Sequence, residues 1–173
     1  MTLPQAFVFV NPAHHNLKEF DCGKPTMNTF LARFAVKHMK LGLSRTWVLP
    51  DTGSTQQTKK TPIAAYYTLA SATVSREEVP TDKSLSRYPI PVVLLARLAV
   101  DNQFKGQRLG EKTLISALRK SVELTDIGLP ALGIILDVLD EEALGFYNHY
   151  EIFEPFTDNP MRLFASMHML RQI

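Results

Sequence analysis

The chain has 173 residues, 45% of them hydrophobic, and a formal net charge of +2 at pH 7. This length supports one domain with a full hydrophobic core, and so mild a charge does not in itself indicate binding to nucleic acid. The single cysteine excludes an internal disulfide framework or a thiolate metal cluster, and no apolar stretch approaches the roughly 20 residues of a membrane helix. We therefore expect one metal-free domain over residues 1–173, located in the cytoplasm because nothing resembles a secretory signal.

The first half of the chain combines apolar strands with one basic helix. Residues 6–10 predict a strand, and a helix begins at Pro25, whose missing N–H suits a first helical turn. Residues at helical spacing form an apolar flank on this helix: Met27, Phe30, Leu31, Phe34 and His38. Residues 44–49 and 63–74 predict a hairpin across a polar loop, and residues 75–91 an irregular segment.

The second half of the chain alternates buried strands with helices. The apolar run at 92–100, interrupted only by Arg97, predicts a strand buried on both faces. Beyond it we expect a helix at 107–126, a strand at 131–139, a short helix at 140–150 and closing strands at 152–156 and 161–170. The resulting order, β-α-β-β-β-α-β-α-β-β, predicts an α/β fold.

Basic residues are concentrated in the first helix. Between Cys22 and Pro50 there are five cations and no acid. Arg33, Lys37 and Lys40, spaced i, i+4 and i+7, form a line on the helix that we call the basic stripe. A block of one sign in a nearly neutral chain indicates a local anionic partner, although a solvated helix face is an open alternative.

The sequence KGQRLG, residues 105–110, lies between the buried strand and the second helix, and we call it the glycine turn. A helix N-terminus presents unpaired N–H groups and a positive dipole end, both of which favour phosphate. Lys105 adds a cation, while Gly106 and Gly110 provide residues without side chains. The segment therefore predicts a site for a cofactor that carries phosphate, with an ordinary strand–helix loop as the open alternative.

The order of elements and the glycine turn resemble the GCN5-related N-acetyltransferase fold. Several blocks are similar to the tRNA-acetylating toxins of bacterial type II toxin–antitoxin systems: FDCGKPTMNTFL (20–31), SRTWVL (44–49), AAYYTLAS (64–71), IPVVLLARLAVD (90–101) and ALGFY (143–147). The resemblance extends from about residue 18 to the C-terminus. It implies a single-domain α/β fold whose mixed central sheet has splayed middle strands and is flanked by helices.

The resemblance also implies a reaction and its partners. Members of this family transfer acetyl from acetyl-CoA to the α-amino group of aminoacyl-tRNA, which blocks translation. A ribbon-helix-helix antitoxin neutralises the toxin, which is a homodimer without membrane association. The basic stripe, together with Arg45 and Arg97, would then bind tRNA.

The cofactor site follows from the same resemblance. The glycine turn would hold the pyrophosphate through these residues: Lys105, Gly106, Gln107, Arg108, Leu109 and Gly110. Backbone N–H groups of Leu98, Ala99 and Val100 would polarise the thioester carbonyl. Arg108 departs from the family, which has glycine there; it either damages the turn or binds phosphate through its guanidinium.

Tyr147 matches the family's general acid. An unperturbed phenol has a pKa near 10, which suits protonation of a departing thiolate. Glu151 and Ile152 replace the glycine and phenylalanine with which the family closes this helix. Because a left-handed conformation at Glu151 would be unfavourable, we expect the turn to rearrange.

Two alternatives to the toxin remain open at this stage. Arg108 and Glu151 favour a degenerate, non-catalytic protein that binds RNA or an antitoxin. An acetyltransferase acting on a small amine or a protein N-terminus would share the fold but would not need the basic stripe.

Overall fold

The computed structural model describes residues 6–53, 60–81 and 84–173, which group into two compact units. The first unit comprises Met1–Leu69 and Arg97–Ala117, and the second comprises Ala70–Ala96 and Leu118–Ile173. The single domain expected from the sequence stays a prediction.

Strands and helices follow one another along the chain in nearly the expected order. The strands are β1 (Val8–Phe9), β2 (His15–Asn16), β3 (Arg45–Pro50), β4 (Thr61–Val74), β5 (Ile90–Val100), β6 (Gly133–Asp137), β7 (Glu154–Phe156) and β8 (Asn159–Ser166). The helices are α1 (Pro25–Thr29), α2 (Ala35–Leu41), α3 (Leu109–Ile127), α4 (Glu141–Asn148) and α5 (Met167–Leu170), with a π-turn at Phe30–Phe34 and a 3₁₀ turn at Asn102–Phe104. The architecture is therefore mixed α/β, with an open mixed sheet and flanking helices, which confirms the predicted fold class.

The first unit contains the predicted hairpin. β3 pairs with β4 in antiparallel register, with Trp47 opposite Tyr67, and β1 pairs antiparallel with the other edge of β3. Trp47 is 4% exposed and stacks on Tyr67 with ring centroids 5.2 Å apart, so it belongs to the core. Residues 54–59 of the hairpin loop lie outside the described residues.

The second unit is built around β6. β6 pairs antiparallel with β8 over five residues, and β7 adds to the far edge of β8. The parallel ladder between β5 and β6 is much shorter, pairing Val93 with Ile134 and Leu94 with Ile135. A ladder this short agrees with the splayed middle strands that the resemblance implies.

One expected core residue is on the surface because the first helix is not a regular α-helix. Phe30–Phe34 form a π-turn, in which the N–H of Ala35 bonds to the carbonyl of Phe30. A π-turn holds an extra residue, so the side chains beyond it are displaced around the helix. Ala35 is consequently buried and Phe34 is exposed, and the predicted place of Phe34 on the apolar flank was wrong.

Two predicted boundaries also need correction. α3 begins at Leu109 and not at 107, because Arg108 has a left-handed backbone (φ +58) that cannot belong to an α-helix. The last predicted strand ends at Ser166, whose side chain accepts a hydrogen bond from the N–H of Met169 and caps α5. None of the described helices is long and apolar enough to span a bilayer.

Candidate functional site

The glycine turn has an unusual backbone. Gly106 (φ +84) and Arg108 (φ +58) are both left-handed, and Arg108 is the one residue other than glycine with positive φ among the described residues. The N–H of Lys112 donates to the carbonyl of Arg108 at 3.1 Å, so α3 begins directly after it. Left-handed residues in a turn before a helix can direct backbone N–H groups towards one point, an arrangement that binds anions. Arg108 therefore adopts a backbone conformation that glycine adopts without strain.

The side chains of the turn are accessible. Residues 105–108 are exposed, whereas Leu109 is buried against Phe104 and Leu49. This buried leucine fixes the start of α3 to the first unit and leaves the preceding loop open to solvent. The turn is thus supported from one side and available to a ligand from the other.

Leu98, Ala99 and Val100 are the last residues of β5. Ala99 is buried in the core cluster that contains Tyr66 and Leu31, and the next backbone N–H, that of Asp101, donates to the carbonyl of Ala64 at 2.8 Å. The strand end is therefore firmly placed just before the glycine turn. Its role in polarising a thioester carbonyl stays a prediction.

Lys105 has a specific partner within the first unit. Its Nζ donates a hydrogen bond to the backbone carbonyl of Cys22, 2.7 Å away. Cys22 itself is buried, and this burial raises the pKa of its thiol, so it is a structural residue and not an activated nucleophile. The lysine therefore places positive charge at the turn while also joining it to the residues before α1.

The three cations of the basic stripe are exposed, although the π-turn displaces Lys37 and Lys40 around the helix relative to Arg33. Arg33, Lys37 and Lys40 are exposed on the π-turn and α2, and Arg45 is exposed at the start of β3. Cations on a stably folded helix can contact successive phosphates of a nucleic acid. Binding itself stays a prediction.

Arg97 is half-buried in the first unit. Its guanidinium lies 4.8 Å over the ring of Phe30, the first residue of the π-turn. This contact supplies the partner that a charge inside an apolar strand requires. Arg97 therefore stabilises the helix that carries the basic stripe, whether or not it also touches RNA.

Tyr147 belongs to α4 in the second unit. Asp140 caps this helix by accepting a hydrogen bond from the N–H of Ala143 at 2.9 Å. Tyr147 is 8% exposed and lies edge-on to Phe146 and Phe153, with centroids 5.1 and 5.8 Å away. Burial raises the pKa of its phenol well above the ordinary value, so the hydroxyl stays protonated throughout the physiological range.

The turn that closes α4 follows Tyr147 directly. The N–H of Tyr150 donates to the carbonyl of Tyr147 at 3.0 Å, and Glu151 does not have positive φ. This departure from the family therefore adds no left-handed strain next to the candidate acid.

The first unit brings together most of the predicted residues: the glycine turn, the end of β5, Arg97 and the basic stripe. Tyr147 lies in the other unit. Asp21 and Asp101 were not predicted from the sequence, and their hydrogen bond joins the loop before α1 to the loop that leads into the glycine turn. The available signal was an aspartate directly before a loop in both FDCG and VDNQF, since aspartate commonly binds backbone N–H groups there.

No protein-family model matches the chain. A curated relative, the tRNA-acetylating toxin of Mycobacterium tuberculosis, is 31% identical over 160 residues, covering 91% of this chain and 90% of the relative. Two solved structures show the same fold. AtaT complexed with acetyl-methionyl-tRNAfMet has a TM-score of 0.82 at 24% identity, with 96% of this chain and 97% of that chain covered. A tyrosine-to-phenylalanine mutant of AtaT, bound to the C-terminus of the antitoxin AtaR and acetyl-CoA, has a TM-score of 0.78 at 23% identity, with 96% of both chains covered.

Proposed function

The chain belongs to the family of tRNA-acetylating toxins, as its likeness to the mycobacterial toxin along nearly the whole length of both proteins shows, and we propose that it acetylates the α-amino group of aminoacyl-tRNA with acetyl-CoA. A blocked α-amino group cannot attack a peptidyl ester on the ribosome, so the product stops translation. Within the structure, the observation that carries the proposal is the glycine turn, with two left-handed residues directly before α3.

Acetyl-CoA binds at the glycine turn in this proposal. The backbone N–H groups of residues 106–110 face the pyrophosphate, and the N-terminus of α3 and Lys105 add positive potential. Arg108 binds phosphate with its exposed guanidinium. The bound acetyl-CoA of the AtaT mutant supports this assignment, because that structure shares the fold.

Leu98, Ala99 and Val100 act on the thioester. The acceptor amine attacks the carbonyl carbon, a C–N bond forms, and negative charge develops on the oxygen. Backbone N–H groups at this strand end stabilise that charge. The C–S bond then breaks, and the electron pair leaves on the sulfur of CoA.

Tyr147 protonates that sulfur. Its buried phenol is protonated at neutral pH, and the proton that the new amide loses restores it, so that acetyl amide and free CoA thiol are the products. An α-amino group with a pKa near 8 is partly neutral in the cell and needs no strong base. The tyrosine-to-phenylalanine mutation chosen for AtaT supports a functional tyrosine in this fold.

The basic stripe, Arg45 and Arg97 bind the tRNA, and Arg97 also holds the π-turn through its contact with Phe30. The tRNA complex of AtaT supports this part of the proposal. Three further assignments accompany it: a cytoplasmic location, because aminoacyl-tRNA is found there, a homodimer, and neutralisation by a ribbon-helix-helix antitoxin with a C-terminal tail. The antitoxin C-terminus bound to AtaT supports the last of these.

The test is to incubate the purified protein with acetyl-CoA and total aminoacylated tRNA, and to identify the 3′-terminal products by mass spectrometry. We expect N-acetyl-aminoacyl-adenosine from a subset of tRNAs and none with uncharged tRNA. Acetylation of free amino acids or peptide N-termini in place of tRNA would indicate a different acceptor. Binding of tRNA without any acetyl transfer would indicate the degenerate, non-catalytic protein.

A further inference from the structure

Residues 21–24 and residues 101–105 of the first unit are joined directly. The N–H of Asp21 donates to Asp101 Oδ2 at 3.0 Å, and the N–H of Asn102 donates to the carbonyl of Asp21 at 2.8 Å. The Nζ of Lys105 donates to the carbonyl of Cys22 at 2.7 Å. We call this set of contacts the interlock. It connects the loop before α1 to the loop that leads into the glycine turn.

On one side the interlock continues into α1. Asn28, in the first turns of this helix, accepts a hydrogen bond from the N–H of Cys22 and donates one to Asp21 Oδ1, both at 2.9 Å. The N–H of Gly23 also donates to Asp21 Oδ1 at 2.9 Å. The same residues therefore fix the start of α1, which continues through the π-turn into α2, where the basic stripe lies.

On the other side one buried carboxylate holds both loops. Asp101 is 8% exposed, and while its Oδ2 accepts from Asp21, its Oδ1 accepts from the N–H of Gln103 at 2.9 Å. The Oδ1 bond caps the 3₁₀ turn that leads into the glycine turn. Hydrogen bonds to a buried charge are strong and directional, so a movement of either loop is passed to the other.

The two loops are also closely packed. Gly23 has φ +86, and a side chain added there would place its Cβ 3.5 Å from Asn102 Oδ1 and 3.7 Å from Lys105 Nζ. These are ordinary van der Waals distances, so the left-handed backbone, and not a lack of space, favours glycine at this position. The two loops are therefore in contact beside their hydrogen bonds.

We propose that the interlock makes the binding of acetyl-CoA and the binding of tRNA cooperative, with Asp101 and Lys105 as positioning residues. The inference rests on the proposed function, because it takes the glycine turn as the acetyl-CoA site and the basic stripe as the tRNA site. A ligand that orders the glycine turn also orders residues 101–105, and through them residues 21–24 and α1. The second ligand then binds to a surface that is already ordered, so its binding loses less conformational entropy.

The coupling is measured with acetyl-CoA and uncharged tRNA, because this pair binds without turnover. The dissociation constant of each ligand is measured with and without a saturating amount of the other. We expect each ligand to tighten the other by the same factor, about fivefold or more, since binding coupling is reciprocal and typically of this size.

Variants of the interlock show whether Asp101 and Lys105 couple the two ligands or only stabilise the fold. Lys105→Met removes the donor to Cys22 at an exposed position, and Asp101→Asn removes one of the two acceptors. The coupling factor is the ratio of a ligand's dissociation constants without and with the other ligand. Both variants should bring this factor close to one. Lys105→Arg, which can still donate to the carbonyl, should retain most of it. If Asp101→Asn does not fold, the comparison of Met with Arg at position 105 decides.

Several results would overturn the inference. One is a wild-type protein that binds both ligands independently, and another is a coupling factor that stays unchanged in Lys105→Met although both affinities fall. If the wild type binds no tRNA, the proposed function fails and amide hydrogen exchange decides this inference. Acetyl-CoA alone should then protect the amides of residues 21–29 from exchange in the wild type and not in Lys105→Met. Equal protection in the two proteins, or no protection in the wild type, would contradict the inference.

Discussion

Gly106 and Arg108, two residues apart in the glycine turn, share a left-handed backbone, with φ values of +84 and +58. Glycine adopts this conformation without cost, whereas a residue with a Cβ loses roughly 1–2 kcal/mol. The fold thus keeps a charged residue where the backbone favours glycine. Strain of this kind often accompanies function, which is why we assign the guanidinium to phosphate.

Arg108→Gly should consequently stabilise the free protein by about 1 kcal/mol, because it removes the left-handed strain. The measurement is the free energy of unfolding in urea without cofactor. Gln107→Gly is the matched control, since residue 107 does not have positive φ, and it should give no such gain.

The same variant should bind acetyl-CoA more weakly. Loss of a charged hydrogen bond costs roughly 1.5–3 kcal/mol, which corresponds to about a tenfold or greater rise in the dissociation constant. Titration calorimetry at fixed salt measures it. Tighter binding by Arg108→Gly would show that the arginine obstructs the cofactor and is not its ligand.

Tyr147→Phe should reduce acetyl transfer by about 10²–10⁴-fold, because the departing thiolate loses its proton donor. The affinity for acetyl-CoA should change little, because the ring and its packing against Phe146 and Phe153 remain. Steady-state kinetics and calorimetry provide the two readouts. A variant with wild-type turnover would remove Tyr147 from the mechanism.

The pH dependence of the wild type provides a second readout for Tyr147. Burial raises the pKa of this phenol, so the acid stays protonated and is lost only at pH values above that of an exposed tyrosine. The amine must be neutral, so kcat/KM should rise through about pH 8 and then level off. A decline between pH 7 and 9 in the intact protein would indicate another acid.

The basic stripe makes a prediction about salt. Lys37→Glu should weaken tRNA binding and reduce the slope of log affinity against log salt by about 0.9, the value for one lost phosphate contact. Arg119→Glu is the control, because Arg119 is an exposed cation on α3, outside the stripe. Equal effects of the two substitutions would mean that net charge, and not the stripe, governs binding.

Gly133→Ala should destabilise the second unit by about 1–3 kcal/mol. An added Cβ would collide with the carbonyl oxygen of Ala165 and lie 2.7 Å from the ring of Phe164 on the neighbouring strand. Gly145→Ala on α4, where nothing lies within 4 Å, should instead stabilise by about 0.5–1 kcal/mol through helix propensity. Thermal unfolding of both variants tests the contrast, and similar shifts would contradict it.

Local patterns predicted the elements that depend on local chemistry. The β3–β4 hairpin follows from two apolar runs around a polar loop. The end of α3 follows from Gly128 and Pro130, because both residue types interrupt a helix. The π-turn that exposes Phe34 was not predictable, because a helical periodicity assumes a constant number of residues per turn. The left-handed Arg108 was missed as a helix boundary because glycine and not arginine normally marks such a position.

The candidate site also contains some features that local sequence predicts and others that exist only in the folded chain. The glycine turn and the basic stripe were predicted because each is a short stretch of sequence with its own chemistry, whereas Tyr147 was predicted from the resemblance to the acetyltransferase family. The bond between Asp21 and Asp101 joins residues 80 positions apart, and nothing near either residue specifies the other. Likewise, the contact of Arg97 with Phe30 exists only once β5 lies beside the π-turn.

The proposed function depends most on the acceptor being an amine carried by tRNA. The most direct measurement compares kcat/KM for one aminoacyl-tRNA with kcat/KM for the same amino acid esterified to adenosine alone, at equal salt. We expect a preference of roughly 100-fold or more for the intact tRNA, since phosphate contacts supply most of the affinity, and the preference should shrink as salt rises. Equal kcat/KM for the two acceptors, or no acetyl transfer to either, would contradict the proposed acetylation of aminoacyl-tRNA.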